Sequence, residues 1–260
     1  MDKFIIFTLI IIFVVLYLIN RNYIYNYNIR SNIISIGVPC ILKHVKHLPT
    51  LIQSINNQTL LPYEIIISLS STDKITGEYI RNKINEISKV HVKVIDTIDE
   101  KYAGDNRNIC VENCNTELIS FIDADDELCP TRTEVLEKVY KEYDYDVLYH
   151  LHTNDDICNN FDGNILNNYV LRKKINIDDN KYINFTKSSI AVNKIHHGHY
   201  TIKTDVMKNI PSKSYRRAQD TEHLHRLYLN SDINIMALPT YRGTVYNKHL
   251  SSIGVDHPLF

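Results

Sequence analysis

Residues 118–130 read LISFIDADDELCP, an apolar run that passes straight into a cluster of acids and stops at a proline. Leu118–Ile122 has the length and continuous apolar character of a strand covered on both faces, as in a parallel sheet. Upstream, the pattern alternates. Ile33–Pro39 (IISIGVP) predicts a buried strand ended by Pro39. Leu48, Leu51, Ile52 and Ile55 follow the i, i+3, i+4, i+7 spacing of an amphipathic helix. Glu64–Ser68, with Ile65, Ile66 and Ile67, predicts a second strand. Ile80, Ile84 and Ile87 mark a helix, Val90, Val92 and Val94 a third strand, and a further helix is predicted from Asp105 or Asn106 to residues 113–115. Strands alternating with helices predict an α/β fold with a mainly parallel sheet, in which ligands sit at the carboxyl ends of the strands. The acids of residues 123–126 fall at such an end.

Downstream, Val135, Leu136, Val139 and Tyr140 predict a helix, and a strand is expected near Asp146–Leu151. Residues 153–195 are Asn-rich and show no clear period. Order returns with a strand at Tyr200–Thr204, a helix at Thr221–Leu229 and a strand at Ile233–Leu238. Without a repeat or a Pro- or Gly-rich linker, residues 33–260 read as one domain, with 33–130 and 131–260 as its two halves.

The 260-residue chain has 29 basic and 30 acidic side chains and is 44% apolar. This balance excludes a protein built to wrap nucleic acid, and the composition excludes a mostly disordered chain. Five cysteines without a CxxC pair argue against a disulfide scaffold and predict free thiols that pack as small apolar residues. Phe4–Ile19 (FIIFTLIIIFVVLYLI) is an unbroken apolar run. As a helix it would extend about 24 Å, a little short of the roughly 30 Å hydrocarbon core of a bilayer. No small-residue cleavage site follows it, so residues 1–20 are expected to be a single-pass membrane anchor and 21–32 a stalk, with orientation left open.

Two carboxylates at i and i+2 beyond a buried strand suit a hard cation such as Mn²⁺ or Mg²⁺, which bridges phosphate oxygens. A solvated acidic loop is the plainer reading of the same residues. The runs SIGVPC, LIQSINNQTLLPYEIIISLSSTD and AGDNRNICVENCNTELISFIDADDELCP together resemble a family 2 glycosyltransferase of the GT-A fold. The resemblance implies a nucleotide-diphosphate-sugar donor, most simply a UDP-sugar, a divalent cation, and inverting transfer to a glycan, lipid or protein acceptor. It implies further that Asp123 contacts the nucleotide or its metal, that Asp125 ligates the metal and that Asp126 orients them. Arg107 would reach the nucleotide or diphosphate, and Pro39 and Cys40 would line the nucleotide pocket. One segment departs from the family. The loop after the second strand, usually acidic, is here Ser68-Leu69-Ser70-Ser71-Thr72-Asp73, leaving Asp73 to assist the nucleotide or to cap the next helix.

In the second half, Gln219-Asp220-Thr221-Glu222 is similar to the family segment that supplies the catalytic base, with Asp220 first and Glu222 in reserve. Acids at a helix start are also favoured by the helix dipole alone. His249 resembles a late family position and is a candidate third metal ligand. The histidines at 196–199 and at 223 and 225 read as a chance grouping in a chain with 12 histidines. The rival to an enzyme is a catalytically inactive GT-A-like binding or structural protein, favoured by the serine loop. A phosphate hydrolase would need its aspartates after the first strand, where there are none.

Overall fold

The computed structural model describes residues 29–153, 158, 200–217 and 219–247. The expected anchor, residues 21–28 of the stalk, the histidines at 196–199 and His249 lie outside them. Among the described residues no helix is long and apolar enough to cross a membrane. The elements are β1 (Ile34–Ile41), a 3₁₀ turn (Leu42–His47), α1 (Leu48–Asn56), β2 (Glu64–Ser70), α2 (Lys74–Ile87), β3 (His91–Thr97), α3 (Ala103–Glu112), β4 (Leu118–Phe121) and β5 (Glu127–Leu128). They continue with α4 (Arg132–Tyr143), β6 (Val147–Thr153), β7 (Tyr200–Lys203), α5 (Thr204–Asn209), α6 (Gln219–Leu229) and β8 (Ile235–Val245).

The strands form one sheet in the order β3-β2-β1-β4-β7-β6-β8-β5. Strands β1 to β4 pair in parallel, as the isoleucine runs predict. Every residue of β2 is buried, and its side chains alternate between two cores: Ile65, Ile67 and Leu69 enter one, Ile66 the other. Helices α1, α2 and α4 cover the first face through Leu51, Ile52, Ile84 and Val135. Helices α3, α5 and α6 cover the second through Cys110, Met207 and Leu227. Gly37 permits β1 to sit against β4, since a Cβ there would lie 2.9 Å from the Ile119 and Phe121 side chains.

The other half is mixed. β7 runs antiparallel to β4 and β6, β8 runs parallel to β6, and β5 runs antiparallel to β8. The 3₁₀ turn, β5 and α5 have no counterpart in the sequence prediction, because each is too short to display a period. The prediction of free thiols holds for Cys40, Cys110 and Cys114, which are buried, and is corrected for Cys129 and Cys158, which form a disulfide. Topology brings this pair together. β8 pairs with β5 and with the end of β6, so the chain leaving β6 at Thr153 emerges beside Cys129.

Candidate active site

In chain order β1, β2 and β3 step one way across the sheet, while β4 lies on the other side of β1. A crevice opens at the carboxyl ends of strands where the order reverses in this way. Pro39 is tolerated in a central strand because β4 leaves the ladder at Phe121, so no partner there requires its missing N–H. The crevice is a cleft of about 290 Å³. Its walls are Pro39–Ile41, His44 from the 3₁₀ turn, Glu100–Ala103 and Asn106 around the start of α3, Asp123–Asp125, and Tyr246 beyond β8.

The acids are held under electrostatic load. Burial, and then the charge of Asp123, raise the Asp125 carboxyl above its usual range, while His44 and His47 oppose the rise. Asp126 is buried and pushed up to about 8, by burial first and by Asp123 next. Its Oδ1 accepts the Asn247 N–H at 3.0 Å, and its Oδ2 has no hydrogen-bond partner. Arg107 is only 2% exposed, and its Nη2 lies 2.7 Å from Asp123 Oδ1. Among the described residues its buried Nε and Nη1 have no hydrogen-bond partners, so this is a buried cation beside the acids and no surface arginine. The Cys40 thiol is raised by burial and then by Asp125.

The RN pair of α3 works on two sides. Arg107 faces Asp123, while the Asn108 side chain exchanges hydrogen bonds with Ser212, accepting from its N–H at 2.9 Å and donating to its carbonyl at 2.8 Å. Ser214 donates to Asp105 at 2.7 Å, and the Gly104 N–H donates to Gln219 Oε1 at 2.9 Å. A Cβ on Gly104 would meet the Lys213 carbonyl at 2.7 Å, so the close approach needs glycine. These bonds bind the segment before α6 to α3 and bring the start of α6, with Asp220, to this side of the molecule. The buried Tyr200 phenol, raised chiefly by burial, lies within electrostatic reach of Arg107, Asp220 and Asp123 together. Glu222 is otherwise engaged, with Arg226 at 2.7 Å and Lys213 at 3.0 Å. Burial acts to raise its pKa, but these two cations hold it below the ordinary value.

Pro39, Cys40, Asp123 and Asp125 therefore share one cleft with Arg107 behind it. Asp73 does not line it; the carboxylate caps α2, accepting the Thr76 N–H at 2.9 Å. In place of family acids, Ser68 donates to Asn106 Oδ1 at 2.9 Å and Asn106 donates to Ser70 at 3.2 Å. Sequence reasoning missed His44, Asn106 and Tyr246 as cleft residues. The run LKHVKH has no period to mark it, whereas the YN of Tyr246–Asn247 could have been found as the polar exit of the last strand. A larger cavity of about 560 Å³ between α1 and β5 holds none of the predicted site residues.

Residues 35–206, 172 of 260, match the family model described as glycosyl transferase family 2. Among solved structures, TarS residues 1–349 of S. aureus in complex with UDP-GlcNAc superimposes with a TM-score of 0.59 at 16% identity, covering 85% of this chain and 61% of that one. The same protein with UDP gives 0.59 at 17% identity, covering 82% and 59%. The mannosyltransferase PcManGT from Pyrobaculum calidifontis, in complex with GDP-Man and Mn²⁺, gives 0.53 at 13% identity, covering 80% and 55%. At such identities the likeness is one of fold, and the chain spans less than two thirds of these proteins. No curated protein matches it.

Proposed function

The chain belongs to glycosyl transferase family 2, and on that premise we propose that it transfers a sugar, with inversion, from a nucleotide-diphosphate donor, most simply a UDP-sugar, to a glycan, lipid or protein acceptor. The observation that carries this reading is the meeting of Asp123, Asp125 and buried Arg107 at the crevice between β1 and β4. Neighbours of the same fold were solved with UDP, UDP-GlcNAc and GDP-Man, which supports a nucleotide-sugar donor.

The donor set fits a divalent cation. Its groups are hard carboxylate oxygens, Asp125 is raised by burial and the adjacent charge, and a buried oxygen of Asp126 has no hydrogen-bond partner. Asp123 and Asp125 would hold Mn²⁺ or Mg²⁺. Among the described residues no three such ligands gather. When bound, the cation neutralises charge on the leaving diphosphate. The chain's own groups do the rest. Pro39 and Cys40 shape the nucleotide wall. Arg107 holds Asp123 turned to the cleft and places a guanidinium beside the phosphates. Asp220 takes the acceptor hydroxyl's proton as the oxygen attacks the anomeric carbon and the bond to the diphosphate breaks. Glu222, already ion-paired, is the weaker candidate for that role.

The nucleotide-binding half, residues 33–130, is followed by the acceptor half, 131–260, with residues 1–20 as the membrane anchor. The serine loop at 68–71 favours a second reading, a binding protein that retains the scaffold without transfer. Asp220→Asn separates the two. The enzyme reading expects sugar transfer to fall by at least about a hundredfold, the scale of general-base catalysis, with nucleotide binding retained. A wild-type chain that binds nucleotide and transfers no sugar to any acceptor tested would favour the second.

A further inference from the structure

Strand β5 is only two residues long, yet it decides where the chain goes after β8. Glu127 pairs with Val245 and Leu128 with Thr244, antiparallel. Continuing that register one step at a time places Tyr246 opposite Asp126 and Asn247 opposite Asp125. There Asn247 uses every donor it has. Its N–H donates to Asp126 Oδ1 at 3.0 Å. Its side-chain amide donates to the Asp125 carbonyl at 3.0 Å and to Glu127 Oε1 at 3.3 Å. Three successive acidic residues are thus fastened by one neutral side chain, which adds no charge to a loop already crowded with it.

We infer that Asn247 is a positioning residue of the donor site: it fixes the main chain of Asp125, and so the direction of that carboxylate, while seating Tyr246 in the cleft wall. The inference rests on the function proposed above. The Asp125–Asp126 peptide is held at two points, its N–H donating to the Asp123 carbonyl at 3.1 Å and its carbonyl accepting from Asn247; losing the second lets the peptide tilt about the first and turns the Asp125 side chain relative to Asp123. Tyr246 is held on its other side by its N–H, which donates to the Thr153 carbonyl at 2.8 Å, and its ring packs edge-on against His152 with centroids 5.4 Å apart. The cleft therefore has a wall that belongs to the acceptor half, joined to the acids of the nucleotide-binding half through Asn247.

The test uses the full chain and compares wild type with Asn247→Ala and Asn247→Asp. Mn²⁺ affinity is measured in the presence of UDP or GDP, whichever the wild type binds, together with donor KM, kcat and the melting temperature without ligand. Loss of an outer group that orients a metal ligand costs roughly 10–100-fold in metal affinity. Asn247→Ala is expected to weaken Mn²⁺ about tenfold and to raise donor KM by a similar factor. The ligand-free melting temperature and kcat at saturating donor should change little. Asn247→Asp turns the amide donor into an acceptor facing the Asp125 carbonyl, and is expected to weaken Mn²⁺ further. It also serves as the test if the alanine variant does not fold. Unchanged Mn²⁺ and donor constants in either variant would overturn the inference while leaving the proposed function standing. No Mn²⁺-dependent nucleotide binding by the wild type would overturn both.

Discussion

The two halves of the sheet are stabilised in different ways. In β1 to β4 the strands are parallel and their inward residues are mostly hydrocarbon, from Ile36 and Val38 to Ile65, Ile66, Ile67 and Ile119, with Ser35, Glu64, Ser68, Ser70 and Ser120 as buried polar exceptions. In β5 to β8 the packing is threaded with buried polar groups. Arg132 is fully buried, donating to Thr244 at 2.9 Å, to Ser120 at 2.8 Å and to the Phe121 carbonyl at 2.7 Å. Burial brings its pKa down to about 10. His150 and His223 are buried, and a disulfide joins Cys129 to Cys158. The contrast teaches that a mostly hydrocarbon half can carry a charged crevice at its strand ends because few of its buried contacts are polar. The mixed half depends on such detail throughout.

That difference sets a ranking of perturbations. The largest effect is expected at Arg132. Arg132→Ala leaves a cavity and strands three acceptors, and should cost about 4 kcal/mol in chemical denaturation. A loss under about 1 kcal/mol would mean that the polar network is incidental. Next comes the disulfide. Closing a loop of 29 residues restricts the unfolded chain by about 3.5 kcal/mol on the chain-entropy model, and Cys158→Ser should lose most of it. The same variant should leave the ligand affinity of the β1–β4 crevice intact.

Acid should act on the mixed half first. His223 has its pKa lowered to about 4 by burial, partly offset by its hydrogen bond to the Ile210 carbonyl. A folded pKa below the unfolded value near 6.5 means that the unfolded chain takes up the proton first. Its contribution is therefore intact above about pH 6.5 and is lost as pH falls towards 4, to a total of about 3 kcal/mol. His150, also held neutral by burial, adds in the same direction. His223→Gln should flatten the stability profile between these pH values; an unchanged slope would remove His223 from the account. In the hydrocarbon half, Ile67→Val should cost only about 1 kcal/mol. Asp73→Ala is expected to have the smallest effect, a slight loss of thermal stability with no change in nucleotide affinity, because the carboxylate only caps α2. Weakened nucleotide binding in that variant would return Asp73 to the donor site.

The same contrast explains what could be read from sequence. The isoleucine runs of β1, β2 and β4 announce themselves because continuous apolar character is a local property. So does the position of Asp123 and Asp125, one step past a strand. By comparison, β5 has only Glu127 and Leu128, and nothing local marks them as a strand until Thr244 and Val245 arrive from 116 residues away. Arg132 reads as an ordinary charge at a helix start, and its burial is decided by Ser120 and Thr244. The Cys129–Cys158 pairing depends on β8 lying between β5 and β6. His44 enters the cleft through an aperiodic turn. Asp220 was legible as an acid at a helix start, but the docking of its helix against α3 is set by Gly104 and Asn108, whose partners lie more than a hundred residues away.

The proposed function stands or falls on a metal-dependent nucleotide site at the acids after β4. The most direct test follows the melting temperature of the wild type against a panel of nucleoside diphosphates, with and without Mn²⁺, beside Asp125→Ala. A ligand at a hundred times its Kd stabilises a protein by about 2.7 kcal/mol, which a melting curve resolves easily. The account predicts stabilisation by one nucleotide that requires Mn²⁺ and disappears in Asp125→Ala. Absence of stabilisation by any nucleotide, or equal stabilisation of wild type and Asp125→Ala, would contradict it.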